Sequence, residues 1–218
     1  MIYAKHNNEL EKAFPKLHGN CPYCNGDVIS KCGDINTWHW AHTTKSNSCI
    51  YKEMSEWHLE HQLKAESAGW ELEKHIGNRI ADCVFKNNII ELQKSSISDQ
   101  EILMRNINYD AYKKNIHWVF DYRSKMDDMI LTHRDDIIKF KQNWSKKSII
   151  ILFNYIENKH KSIWGNVYFN VSDDKYIHVK KLYDNGNGWG KYVNYENILN
   201  ECGKAPNRII KKSRLFDF

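Results

Sequence analysis

The sequence lacks any apolar run long enough to cross a lipid bilayer. Its longest runs, such as Ile149–Phe153, are far shorter than the about 20 apolar residues of a membrane-spanning helix. The first residues, from Met1 to Glu9, also lack the long apolar stretch of a secretory signal peptide. Together these absences predict a cytoplasmic protein without a membrane partner.

Long runs of lysine or arginine, internal repeats and low-complexity linkers are missing as well. The formal net charge of +5 permits nucleic-acid binding but does not argue for it, because many enzymes carry such a charge. Hydrophobic residues make up 41% of the chain, enough to bury a core, which excludes wholesale disorder. The 218 residues suit one medium domain plus a small accessory module.

What the sequence does contain divides it into three segments. Residues 1–50 are loop-rich and hold four of the six cysteines. Residues 51–122 follow the order helix, three strands, helix, strand, and residues 123–218 mix one helix with several strands. The strands predicted in this third segment are Ser148–Phe153, Ile163–Val171 and Lys175–Leu182. We interpret the sequence from Gly186 to Gly190 as a surface turn, with a binding loop as the alternative.

The middle segment carries the clearest signals. Residues 53–68 hold no proline and are followed by Gly69 as a C-cap, which predicts a helix. Ser98 and Glu101 form a capping box that opens a second helix, running to about Asn115. The predicted strands are Trp70–Ile76, Arg79–Phe85, Asn88–Lys94 and Ile116–Tyr122.

A pair of thiols and a pair of imidazoles in the first segment have the spacing of a metal site. Cys21 and Cys24 flank a tight turn, and His39 and His42 follow after fourteen intervening residues. Histidines three apart can converge on one ion from a single helical turn, and two sulfurs with two imidazoles close a tetrahedral shell around zinc. The alternative is a chance Cys-x-x-Cys with surface histidines.

The other cysteines leave this ligand set open. Cys32 or Cys49 can replace one histidine, whereas Cys83 and Cys202 are predicted to be buried free thiols. Without an export signal, all six are expected to be thiols or metal ligands rather than disulfides. Four protein ligands leave no open position on the ion, so we predict a structural zinc module.

Two carboxylates lie inside apolar strands. Asp82 lies in the predicted strand Arg79–Phe85, and Glu91 shares one strand face with Gln93. A hairpin would bring both carboxylates to one side. Burying them is costly unless a charge compensates, and oxygen ligands of this kind suit Mg²⁺ or Mn²⁺. The alternative is a pair of solvent-facing carboxylates.

Polar side chains on both predicted helices can complete such a site. Glu56 lies on the stripe of Leu59 and Leu63, at the border of the apolar face of the first helix. On the second helix, Arg105 and Tyr109 share a stripe. The alternatives are a flanking charge for Glu56, a salt bridge for Arg105 and core packing for Tyr109.

Six short motifs together resemble the CoiA competence-protein family, over residues 21 to about 122. They are Cys21-Pro-Tyr-Cys24, His39-Trp-Ala-His42, Ser55-Glu-Trp-His58, Arg79-Ile-Ala-Asp82, Ile90-Glu-Leu-Gln-Lys-Ser-Ser-Ile97 and Arg105-x-x-x-Tyr109. The resemblance implies an α/β fold with a restriction-endonuclease-like αβββαβ core of the PD-(D/E)xK superfamily. The zinc-binding module would precede this core, and an α+β C-terminal extension would follow it.

The resemblance also implies roles for residues. Asp82 and Glu91 would hold a catalytic Mg²⁺ or Mn²⁺, and Glu56 matches an acidic residue that many such folds place on the first helix. Gln93 stands where the superfamily has lysine, which puts the role of that lysine in doubt. Arg105 and Tyr109 resemble the helix motif that supports the site and contacts substrate.

The function that follows is metal-dependent cleavage of DNA phosphodiester bonds. The resemblance suggests transformation, recombination or defence against foreign DNA, with DNA as the partner alongside other proteins of recombination or defence. The alternative is a catalytically silent, zinc-containing DNA-binding or recombination-mediator protein. A zinc hydrolase using His39 and His42 is less compatible, because a His-Glu-x-x-His motif is lacking.

Overall fold

Strands dominate the part of the chain that the computed structural model describes, which comprises residues 1–34, 37–44, 49, 54–142, 167–183 and 185–203. These strands form two sheets. None of the described helices is long and apolar enough to cross a membrane. The predicted strand Ser148–Phe153 and the start of Ile163–Val171 lie outside the described residues.

The N-terminal segment, predicted to be loop-rich, forms a smaller sheet of short strands joined by loops. Its five strands are antiparallel in the order β2-β1-β3-β4-β5. They are β1 (Tyr3–His6), β2 (Glu9–Lys12), β3 (His18–Asn20), β4 (Asp27–Lys31) and β5 (His39–His42). The strands are short and bury few side chains around Trp40 and Val28. Such strands show almost no apolar alternation in the sequence.

The middle segment has the predicted order of elements, helix, three strands, helix and strand. They are α1 (Glu56–Ser67), β6 (Glu71–Ile76), β7 (Arg79–Phe85), β8 (Asn88–Gln93), α2 (Asp99–Ala111) and β9 (Asn115–Asp121). The hydroxyl of Ser98 accepts a hydrogen bond from the Glu101 amide, as the capping box predicts. Gly69 has φ +87°, the left-handed conformation expected just after a helix.

A single nine-stranded sheet joins the middle and C-terminal segments. Its order is β10-β11-β14-β13-β12-β9-β8-β7-β6, with β9 parallel to both β8 and β12. A 3₁₀ helix, Arg123–Asp128, follows β9. The remaining elements are β10 (Met129–Arg134), β11 (Ile137–Gln142), β12 (Val167–Ser172), β13 (Lys175–Leu182), β14 (Gly188–Val193) and α3 (Tyr195–Gly203). Strands from both sides of position 122 therefore share one core.

Helices cover both faces of the large sheet. On one face, Ile102 and Tyr109 of α2 pack into a core centred on Trp118. On the other face, Trp57 of α1 and Tyr195 of α3 pack into a second core. The predicted carboxylates lie on β7 and β8, near the end of the sheet where α1 and α2 approach from opposite sides.

Candidate functional site: a Cys/His cluster beside a buried carboxylate pair

Three cysteines and one histidine converge in the N-terminal sheet. Ligand atoms of Cys21, Cys24, His42 and Cys49 all lie within 4.8 Å of one another. The Cys21 and Cys49 sulfurs are 3.8 Å apart, and the Cys24 sulfur is 3.3 Å from Nε2 of His42. The turn after β3 supports the first two cysteines, because the Cys21 amide donates to the Gly26 carbonyl at 2.8 Å.

The structure differs from the sequence prediction at one ligand. His39 and His42 lie on a strand rather than a helical turn, and residues three apart on a strand face opposite sides. Nδ1 of His39 is 2.8 Å from the Thr37 carbonyl oxygen, outside the cluster. Cys49 completes the cluster instead, and Cys32 packs against the module's core without joining it.

The donor set fits a metal ion. Three thiolates and one imidazole form a tetrahedral shell that zinc favours. A hydrogen bond from the Gly26 backbone lowers the pKa of Cys24 to about 7, and the side chain of His42 acts in the same direction. The thiolate form, which binds metals, is thereby favoured. The cluster could hold zinc.

Asp82 and Glu91 are buried neighbours on adjacent strands. Cys83 of β7 pairs with Ile90 of β8, so the next positions along the two strands are Asp82 and Glu91. The two residues are 8% and 1% exposed, respectively. Burial raises the pKa of Glu91, and the charge of Asp82 adds to this effect, as expected for carboxylates that are close together.

Side chains of α2 hold the Glu91 carboxylate. The Tyr109 hydroxyl donates to Oε1 at 2.6 Å, and the Arg105 guanidinium pairs with Oε2. Arg105 also donates to Glu101 at 2.9 Å, and Glu101 in turn pairs with Arg79 at 2.6 Å. Burial raises the pKa of Glu91 to about 7, against the opposing effect of Arg105.

A histidine of α1 holds the Asp82 carboxylate. Nε2 of His58 lies 3.0 Å from Oδ1, and the Leu92 amide donates to Oδ2 at 2.7 Å. Burial alone would raise the pKa of Asp82, but His58 and the Leu92 amide outweigh it and lower the pKa. Burial likewise opposes a charged His58, yet the charge of Asp82 raises its pKa. Both pKa shifts favour an ion pair between His58 and Asp82.

The role of His58 was not found by sequence reasoning, although a signal was present. His58 and Gln62 are four residues apart on α1 and so share a helix face. That face meets β7, where the Gln62 amide donates to the Asp82 carbonyl at 3.2 Å. The stripe of Leu59 and Leu63 pointed instead to Glu56 as the residue bordering the site.

Two predicted site residues have other partners. The Glu56 carboxylate accepts a hydrogen bond from the Thr37 amide in the N-terminal module. The Gln93 amide donates to the Ser95 carbonyl at 2.7 Å and to its hydroxyl at 3.2 Å. The structure thus brings together Asp82, Glu91, Arg105 and Tyr109, with Glu56 and Gln93 turned towards neighbouring loops.

A third buried carboxylate connects the two sites, and sequence reasoning missed it. Glu73 of β6 is 7% exposed and accepts hydrogen bonds from the Ile2 amide at 3.2 Å and the Tyr23 hydroxyl at 3.3 Å. Tyr23 lies between the first two cysteines of the cluster. Glu73 has φ +49°, rare for a residue with a side chain. Its register position on β6 is opposite Asp82 of β7. Burial raises the pKa of Glu73, and the charge of Asp82 acts in the same direction.

The wild type should lose stability as pH rises, because Glu91 loses its proton. Replacing Glu91 with glutamine should remove this loss. The pKa of Glu91 is about 7 in the folded protein, above its ordinary value of 4.5, so folding favours the protonated carboxyl. The wild type should therefore lose about 2.5 kcal/mol of stability as pH rises from about 5 to 8. Urea denaturation across this range, without added Mg²⁺ or Mn²⁺, measures the difference between wild type and variant.

Glu9→Gln is the matched control, because Glu9 is exposed on β2. Its stability should follow the wild type at every pH. If the free energies of unfolding of the wild type and of Glu91→Gln change in parallel from pH 5 to pH 8, the raised pKa of Glu91 is contradicted.

Two family models match the chain. The N-terminal domain of competence protein CoiA matches residues 4–51, and the nuclease-like domain of competence protein CoiA matches residues 51–188. The second match covers more than half of the chain. No curated protein and no solved structure matches.

Proposed function

The chain belongs to the CoiA competence-protein family, and we propose that it is a Mg²⁺- or Mn²⁺-dependent deoxyribonuclease with a restriction-endonuclease-like core. The observation that carries the proposal is the buried pair of carboxylates, Asp82 and Glu91, on adjacent strands of the nuclease-like domain. The order of elements from α1 to β9 is that of an αβββαβ core. In the PD-(D/E)xK superfamily that the motifs resemble, an Asp and a Glu hold the metal, and Asp82 and Glu91 match them by motif.

The carboxylate pair suits a divalent cation in its chemistry. Asp82 and Glu91 would hold the ion, which when bound supplies an activated water and neutralises charge on the phosphate. Arg105 and His58 already compensate these carboxylates in the structure. The divalent cation can replace the positively charged Arg105 at Glu91, because Arg105 keeps Glu101 as a second partner.

The protein's own groups then have separate tasks. Arg105, once released from Glu91, can donate its planar fork to a phosphate oxygen. Tyr109 positions the Glu91 carboxylate, and His58 positions the Asp82 carboxylate. Gln93 would orient water or a phosphate oxygen after leaving Ser95. Glu56 is an acidic residue at the periphery of this site, and its carboxylate connects α1 to the N-terminal module.

We assign zinc to the Cys/His cluster, with a structural role. Four protein ligands leave the ion no position for a substrate. The cluster also supports Tyr23, which donates to Glu73 beside the carboxylate pair. The module would thus stabilise the domain.

Purified protein incubated with single- and double-stranded DNA, with and without Mg²⁺ or Mn²⁺, tests the proposal. Zinc should be left in place during purification. We expect strand cleavage only with the added divalent cation. Wild-type protein that binds DNA but cleaves neither form with any divalent metal would reject it.

Gln93→Lys probes the position where related nucleases carry lysine. A lysine beside Glu91 adds positive charge near the scissile phosphate, which should retain or raise the cleavage rate, by up to about tenfold. Steady-state cleavage rates in Mg²⁺ measure this. Lys94→Gln is the matched control, since Lys94 is exposed and lies just after the end of β8, and it should leave the rate unchanged. A large loss of rate in Gln93→Lys would argue that Gln93 only anchors Ser95.

One observation favours a second candidate, a catalytically silent DNA-binding or recombination-mediator protein. Among the described residues, the group of three or more Cys, His, Asp or Glu side chains that is close enough to share an ion is the Cys/His cluster. Asp82 and Glu91 are instead engaged by His58, Arg105 and Tyr109. If Asp82 and Glu91 keep these partners in the presence of Mg²⁺, they do not bind the ion, and the domain is a binding module without nuclease activity.

A further inference from the structure

An aromatic side chain lies between two lysines on the large sheet, several strands away from the carboxylate pair. Trp189 of β14 is directly opposite Lys139 of β11 on one side and Lys181 of β13 on the other. Lys141 lies two residues along from Lys139 and therefore on the same face. The opposite face of these strands carries core residues such as Ile138 and Phe140.

Two glycines fix the position of this tryptophan. A Cβ at Gly188 would lie 2.2 Å from the Lys181 carbonyl oxygen, and a Cβ at Gly190 would lie 2.3 Å from the His178 carbonyl oxygen. Only glycine lets the strands approach so closely. The Gly-Trp-Gly sequence is therefore part of a strand that presents Trp189 at a defined place, rather than the surface turn predicted from the sequence.

A groove of about 270 Å³ opens at this tryptophan. Exposed side chains of Ile130, Thr132 and Tyr183 lie along it, together with Lys139 and Lys141. None of its described lining residues is acidic. The carboxylate of Asp136 is close to the same strands, but it pairs with Lys191. The described part of the groove therefore combines π-faces with the positive charges of Lys139 and Lys141.

We infer that this groove binds single-stranded DNA, with a base stacked on Trp189 and phosphates on Lys139 and Lys141. A stacked base must be free of its complementary strand, and aromatic platforms flanked by lysines bind such bases with little sequence preference. An acidic peptide would satisfy the lysines but leave the indole and phenol faces unused. The choice of DNA as the polymer rests on the proposed function, whereas the binding itself does not require cleavage.

Fluorescence anisotropy with a labelled oligo(dT), without added Mg²⁺ or Mn²⁺, tests the assignment. Trp189→Ala should weaken binding by about 5- to 100-fold, and Trp189→Phe should restore most of it. Lys139→Ala with Lys141→Ala should lower the slope of log affinity against log salt by about 1.4. Trp189→Leu fills the same apolar space without a π-face, so it should fold normally and still bind weakly.

Matched controls come from elsewhere in the chain. Trp38→Ala removes a tryptophan that is 45% exposed just before β5 of the smaller sheet. Lys86→Ala with Lys113→Ala removes two exposed lysines, just before β8 and β9 respectively. Both should bind as the wild type does. Equal affinity of wild type and Trp189→Ala overturns the assignment, and so does displacement of the DNA by polyglutamate or duplex DNA as effectively as by unlabelled oligo(dT).

The two proposals fail in different ways. If the wild type cleaves DNA and Trp189→Ala binds oligo(dT) as tightly as the wild type does, the groove proposal is rejected and the nuclease proposal stands. Binding that depends on Trp189 in a protein without cleavage retains the groove and rejects the nuclease.

Discussion

Asp82→Ala should reduce Mg²⁺- or Mn²⁺-dependent DNA cleavage by about a thousandfold or more, equivalent to about 4 kcal/mol of transition-state stabilisation. Asp82 is one of the two carboxylates proposed to hold the ion, and its neighbour Glu91 is already shared with Arg105 and Tyr109. Single-turnover cleavage of end-labelled DNA at saturating enzyme measures the effect. DNA binding in the absence of divalent metal should be nearly unchanged.

The variant should also be somewhat less stable. A buried carboxylate without a compensating charge would destabilise the metal-free protein, and its removal would then be stabilising. The structure pairs Asp82 with His58 and with the Leu92 amide, so alanine leaves both without a partner. We expect a cost of about 2 kcal/mol, limited because His58 can lose its proton.

Two further variants separate chemistry from folding. Asp82→Asn keeps an oxygen for the Leu92 amide and should lose as much cleavage with a smaller drop in Tm. Asp127→Ala removes an exposed aspartate of the 3₁₀ helix and should affect neither quantity. Asp82→Ala protein that cleaves at the wild-type rate would remove this residue from the proposed site.

Cys49→Ser should release the metal of the N-terminal module. Cys49 lies with Cys21, Cys24 and His42 in one cluster, and a structural zinc ion contributes about 10 kcal/mol or more to the folding of such modules. Elemental analysis of purified protein should fall from close to one zinc per chain to nearly none. The unfolding temperature should fall with it.

The ligand assignment is tested by two controls. Cys32→Ser removes a thiol that packs against the module without entering the cluster, and His39→Ala removes the imidazole beside the Thr37 carbonyl. Both variants should keep their zinc. A His39→Ala protein that loses zinc while Cys49→Ser retains it would restore the two-cysteine, two-histidine set predicted from the sequence.

Local signals in the sequence predicted much of the middle of the fold. The capping serine of α2, the glycine after α1 and the short apolar runs of β7 to β9 each depend on neighbouring residues, and the structure has these elements within a few residues of their predicted bounds. The motif resemblance to the CoiA family is confirmed by the matches over residues 4–188. Helix α2 ends earlier than predicted, since Lys113 has φ +54° and turns the chain towards β9.

Interactions between distant segments could not be predicted in this way. The segment from His39 to His42 could form either a helical turn or a strand. Its pairing with β4 makes it a strand. His58 reaches Asp82 across 24 positions of sequence, and Glu73 meets Tyr23 across 50. Local sequence patterns do not indicate such contacts, because the contacting residues come together only in the folded chain.

The parallel pairing of β9 with β12 has a consequence for how the protein is made. Residues Ile116–Asp121 are buried on all sides, yet their second neighbour, Val167–Ser172, comes more than forty positions later. During synthesis, a chain that has emerged only as far as β9 exposes a long, apolar, unpaired strand. Such strands readily join those of other chains. Truncation after residue 122 should therefore yield an aggregating product rather than an independent nuclease domain.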